Sequence, residues 1–215
     1  MKRVVLVTVL LVVFCINAPP VWADLFGFQP ITNNSAYFSA MASQLSLEVT
    51  EPVTDQVLFT FYNDGPSGSA YDVTSPIAGT IAQVYFDNDG APLSFSSFDF
   101  STGVNFYQSA TPANLPGAGI IDPDFVATYS FGADNPSSKN GVNPGEYLAI
   151  LLTANFSDVI SSINSRSLRI GMHVTVINGG TSDSYMNSNV NPVPGAALLG
   201  VLGMIVAGVK LRKYA

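Results

Sequence analysis

The sequence predicts an all-β fold: a single jelly-roll-like β-sandwich with one short helix, followed by a C-terminal transmembrane helix. Three observations carry the β-domain. Short runs between residues 24 and 190 alternate apolar with polar side chains. Turn-forming residues punctuate those runs. Helical periodicity is confined to one stretch. A period of two with frequent turns is the signature of half-buried strands.

The runs come in order along the chain. Leu45, Leu47 and Val49 alternate with polar neighbours, as do Val57, Phe59 and Phe61. Asn63-Asp64-Gly65-Pro66 ends the second run. Ala82, Val84 and Phe86 form the next, and Asp89-Gly90 after it suits a tight hairpin. Phe125, Ala127, Tyr129 and Phe131 make another set. Asn140-Gly141 and Pro144-Gly145 then mark turns before the nearly continuous run Tyr147 to Leu152. Such a run reads as a strand covered on both faces. In Asn155 to Ile163, Phe156, Val159, Ile160 and Ile163 share a helical face, with Ser157 as the expected cap. This helix is expected to cross between two strands. Leu168, Ile170, Met172, Val174 and Val176 form the longest alternation, and their partner face of Arg169, Gly171, His173 and Thr175 is expected to be wet. Asn178-Gly179-Gly180 closes it with a turn. Eight or more strands in one domain favour two packed sheets, a barrel being the alternative.

The ends read as targeting segments, which are set aside before fold reasoning. Lys2 and Arg3 precede the thirteen apolar or small residues Val4 to Ile16, a run too short to span a membrane comfortably. Val21-Trp22-Ala23 then offers signal cleavage between Ala23 and Asp24. Residues 1–23 are therefore expected to be a secretory signal, and 24–190 the exported domain. At the other end, Asn191-Pro192-Val193-Pro194-Gly195 breaks regular structure. Ala196 to Val209 carries no charge, and Lys210, Arg212 and Lys213 follow. An apolar stretch with a basic tail is held with that tail in the cytoplasm. Residues 191–215 are thus expected to be a motif, a transmembrane helix and a cytoplasmic retention tail.

Charge and cysteine usage narrow the classes. Between the two ends lie three basic residues, Lys139, Arg166 and Arg169, against all fifteen acidic ones. So acidic a domain repels phosphate backbones, which argues against nucleic-acid binding. Cys15 is the sole cysteine and sits in the signal, so thiol chemistry is excluded from the exported part.

The order of a proline motif, an apolar helix and a basic tail resembles the PEP-CTERM sorting segments of exported bacterial proteins. Pro192, Val193, Pro194 and Gly195 stand where that family has Pro-Glu-Pro. The resemblance implies an exosortase-type processing enzyme as partner. The domain is similar to members of the same class at Phe28 to Ser35, Val57 to Phe61, Val84 to Asp87, Leu168 to Val174 and Ser182-Asp183-Ser184. It implies an exported β-domain, membrane-anchored at the cell surface or released to the extracellular matrix after processing, with no assigned reaction.

Candidate chemistry is sparse, and no enzyme is expected. His173 is the only histidine and has no serine elbow or metal-spaced partner. No phosphate-binding glycine loop is present. No cofactor is expected, with calcium as the one cation to consider. Hard cations take carboxylate and carbonyl oxygens, and Asp87-Asn88-Asp89-Gly90 and Asp122-Pro123-Asp124 supply compact clusters of them. A plain turn is the simpler account of each. Tyr62, Tyr71, Phe106, Tyr107 and Tyr185 are the aromatics that would stack on a surface polysaccharide if exposed. The expected role is a non-enzymatic surface or matrix protein; the alternative is a calcium-dependent or glycan-binding adhesion module with the same tail.

Overall fold

The computed structural model describes residues 23–188. The expected signal up to residue 22 lies outside the described residues. So do the expected sorting motif Pro192 to Gly195, the expected transmembrane helix and the expected retention residues Lys210, Arg212 and Lys213. Among the described residues no helix is long and apolar enough to cross a membrane.

The fold is all-β, as predicted. Ten strands run through it: β1 (Ala23–Pro30), β2 (Leu45–Thr50), β3 (Gln56–Asn63), β4 (Thr80–Asn88), β5 (Ser94–Phe100), β6 (Phe106–Gln108), β7 (Tyr129–Ala133), β8 (Glu146–Thr153), β9 (Leu168–Ile177) and β10 (Thr181–Asn187). They form one antiparallel sheet in the order β5-β8-β3-β2-β1-β10-β9-β4-β7-β6, nearly closed like a barrel. β1 is the corner. Its first part, Ala23 to Gly27, pairs with β2, and its second part, Phe28 to Pro30, pairs with β10. A strand that changes partners half-way joins two half-sheets without leaving an edge between them.

The two halves meet face to face over aromatic side chains. Phe86 of β4 stands edge-on to Phe59 and Phe61 of β3, with centroids 5.2 and 6.1 Å away. Phe131 of β7 meets Phe95 and Phe98 of β5 at 5.6 and 5.5 Å. These inward residues are the ones the alternation selects, because period two puts every second side chain on one face. Fully burying one such ring contributes about 2 kcal/mol. A buried amide pair also fixes the end of β3. Gln44 Nε2 donates to Asn63 Oδ1 at 2.7 Å, and Asn63 Nδ2 donates to the carbonyls of Gly79 and Val142.

Several local expectations need correction. There are three short α-helices, not one: α1 (Phe38–Ala42), α2 (Ser137–Asn140) and α3 (Phe156–Ser165), plus a 3₁₀ turn at Ala118–Ile120. α3 is the expected crossover, carrying the chain from β8 to β9. Its cap is Asn155 rather than Ser157, and the Asn155 side chain accepts from the Asp158 N–H at 3.1 Å. Asparagine at that earlier position already meets the need for an N-terminal acceptor. Asp89-Gly90 closes no hairpin, because β4 and β5 pair with different strands in opposite halves. The hairpin is at Asn178-Gly179, where φ is 44° and 94° between β9 and β10. Phe125 and Ala127 precede the strand they were expected to join, which starts at Tyr129.

The expected wet face of β9 is covered. Residues 109–128, between β6 and β7, fold over it with a small core of their own. Leu115 and Phe125 pack there with Tyr85, Ala110 and Met186. Leu115 lies so close to Gly171 that a Cβ there would be 2.7 Å from its Cδ2, so the approach requires glycine. Alternation identified β9's apolar face from Leu168 to Val174, but Val176, expected on that face, is exposed at φ 55° and Ile177 is buried in its place. Alternation also carried no information about a loop arriving over the other face.

Candidate functional site

The acidic residues singled out for calcium do gather, but around an arginine. Asp87, the penultimate residue of β4, points outward beneath the 109–128 cover. The β4–β9 register sets it opposite Arg169. The Arg169 guanidinium pairs with the Asp87 carboxylate, the one ion pair found among the described residues. The side chains are 11% and 6% exposed, so water screens the pair little. Arg169 also donates to the Pro123 carbonyl at 2.6 Å and the Asp124 carbonyl at 2.7 Å. Its guanidinium lies 5.5 Å from the Phe125 ring centroid. The second Asp87 contact is the Val126 N–H, which donates to Oδ2 at 3.1 Å. A planar fork of fixed donors suits this set of acceptors. Arg169 thereby ties the end of the cover to β4 and β9.

Beside this clasp is a cleft of about 170 Å³, lined by Asp87, Asp89, Asp122, Arg166, Ser167 and Arg169. Asp124 contributes its carbonyl to Arg169. The clusters Asp87-Asp89 and Asp122-Asp124 are far apart in sequence and meet because the cover folds back over β4. Two of the three basic residues among the described residues, Arg166 and Arg169, line the same cleft. Sequence reasoning missed both as partners. The readable signal was the position of Arg169 on a polar strand face, but its pairing with Asp87 depends on the strand register. Among the described residues no group of three or more His, Cys, Asp and Glu side chains is placed to hold a metal.

His173 lies on the same covered face. Gln83 Nε2 is turned toward the Thr111 carbonyl, at 3.4 Å, which leaves Oε1 for the histidine. His173 Nδ1 therefore carries the proton and donates to Gln83 Oε1 at 2.6 Å. Burial lowers the histidine's pKa, with Asp183 opposing in part. The ring is held neutral and makes no bond to a serine or carboxylate among the described residues. Ser184 sits opposite it on β10 with a buried hydroxyl that has no partner among the described residues.

Asp183 has a separate task. Its buried carboxylate accepts from Thr32 Oγ1 at 2.8 Å, the Asn34 N–H at 2.7 Å and the Ser35 N–H at 2.9 Å. This joins the segment after β1 to β10. Phe28 to Ser35 and Ser182 to Ser184 thus meet in space.

The five aromatics do not form one platform. Phe106 and Tyr185 are buried. The Tyr71 hydroxyl lies over Gly27, where no side chain would fit beneath it. Tyr62 donates to Glu48 at 3.1 Å, and burial with that carboxylate raises its pKa. Tyr107 is exposed on β6, at the far end of the sheet order from Tyr62. A larger groove, of about 420 Å³, lies at the start of α3 with Asp55 and Asp158 on its walls. Ala23 and Asp24, the residues of the expected cleavage site, lie in β1, where Ala23 pairs with Thr50 and Asp24 with Val49. Comparison with protein-family models, curated proteins and solved structures finds no match to this chain.

Proposed function

We propose that this chain is an exported surface or matrix protein of non-enzymatic role, held in the membrane and processed through an exosortase-type C-terminal signal. One observation carries the reading: the β-domain fits between the two targeting-like segments. β1 takes in Asp24, beside the expected cleavage bond, and β10 ends at Asn187, shortly before Pro192. The strands are antiparallel neighbours, and the Ser188 N–H bonds the Gly27 carbonyl at 2.9 Å. Both ends of the domain therefore leave at one pole. A domain tethered there extends from the membrane without threading either end across itself.

Within this reading the sheet is a jelly-roll-like sandwich. The links β3 to β4, β5 to β6 and β7 to β8 each pass from one half to the other, the pattern such folds use. Pro192, Val193, Pro194 and Gly195 serve as the recognition motif, and Lys210, Arg212 and Lys213 as the retention tail. The calcium alternative gains one observation, the gathering of Asp87, Asp89 and Asp122 at one cleft. Arg169 weighs against it, because the guanidinium already engages the Asp87 carboxylate and two carbonyls.

The test is mass spectrometry of the protein from its native envelope with both termini mapped. An N-terminus at Asp24 and a C-terminus within Pro192 to Gly195 are expected. A chain intact through Ala215 overturns the processing step.

A further inference from the structure

We infer that two copies of this chain pair through β5, edge to edge, in an antiparallel register centred on Phe98. The proposal is independent of the sorting signal. β5 ends the strand order and pairs with β8 alone among the described residues. Its other edge presents unpaired backbone groups over seven residues, a template for another strand. The inward side chains of this strand are unusual for the domain. Phe95, Phe98 and Phe100 pack against the core yet stay only partly buried, whereas inward residues of β3 and β8 are fully buried. The core is uncovered at this rim.

The occupant follows from chemistry. Only an extended strand satisfies the edge. The chain's own tail is a poor strand there, because Pro192 and Pro194 lack the N–H that pairing needs. It also departs beside β1, four strands away in the sheet order. A second β5 fits. With Phe98 opposite Phe98, the ring of each copy covers the other on the inner face. On the outer face Ser97 then stands opposite the partner copy's Asp99, so the two Asp99 carboxylates avoid each other. The bulge at Ser96 shortens the regular pairing and makes the contact a modest one.

The experiment is sedimentation equilibrium of the full chain in detergent, for wild type, Ser97→Lys and Ser97→Asp. Ser97 is exposed, so neither change disturbs the core. A charge on a strand edge ordinarily weakens edge pairing whatever its sign. This register makes the two signs oppose. In Ser97→Lys each new ammonium faces the partner copy's Asp99, giving two attractive pairs. In Ser97→Asp each new carboxylate faces that same Asp99, giving two repulsive ones. Ser97→Lys is expected to tighten the dimer about two- to thirtyfold at low salt, and Ser97→Asp to loosen it similarly. A wild type that stays monomeric overturns the proposal. So does association that ignores Ser97, as tail-driven assembly would, and so does weakening by both charges.

Discussion

The two faces of β9 are buried by different means. On the inner face Leu168, Ile170, Met172 and Val174 are fully buried against the opposite half-sheet. On the outer face Arg169 and Gly171 lie beneath the irregular 109–128 cover, His173 is joined to it through Gln83, and Thr175 continues the same face. The inner face needs only apolar volume, because the neighbouring strands satisfy its backbone. The outer face brings polar groups out of water, and each needs its own partner. Arg169 finds three acceptors and His173 finds Gln83, while the Thr175 hydroxyl is buried with none among the described residues. The inner face therefore holds the fold together, and the outer face holds the cover in place.

The largest expected effect breaks the inner side. Phe86 touches three other rings across the two halves. Phe86→Ala is expected to cost about 4 kcal/mol in denaturant unfolding, with both faces lost together. Loss of the cover alone would make the outer layer the keystone instead.

Next is the clasp. Arg169→Met leaves Asp87 charged, buried and unpaired, at a cost of about 3 kcal/mol. Limited proteolysis is expected to cut within 109–128 while the strands stay protected. The double change Arg169→Met with Asp87→Asn is expected to recover part of the stability, since the stranded charge is gone. If the double variant is no better than the single one, the clasp does not work through charge.

The smallest effect is on pH. His173 in the unfolded chain protonates near its ordinary value of about 6.5. In the folded chain burial holds it lower. Below about 6.5 the unfolded state thus binds more protons, and stability falls as pH falls toward about 5. The contribution is fully present above that range. His173→Gln is expected to flatten this slope between about pH 7 and 5 in thermal unfolding, a window above ordinary carboxylate titration. An unchanged slope would mean the covered face does not desolvate the ring.

Much of the inner face was legible in the sequence. Leu45, Leu47 and Val49, then Val57, Phe59 and Phe61, point inward as their alternation requires. The α3 helix was legible too, although Asn155 rather than Ser157 caps it. The candidate site was legible only in pieces. Asp87, Asp89 and Asp122 were visible as acidic turns, but their common partner Arg169 was not, because strand register is set by long-range pairing. The turn at Asp89-Gly90 misled for the same reason: turn chemistry reports a change of direction and not which strand comes next.

The sequence by itself determined the all-β class, the inward residues of β2 and β3 and most of those of β9, and the acidity of the domain, since these depend on side-chain period and composition. Only the tertiary structure decided the strand order, the corner at β1 and the cover that closes over Arg169 and His173. Those features join residues far apart in the chain. Their energy comes from contacts between segments, and no local pattern records a contact that forms only when two distant segments fold together.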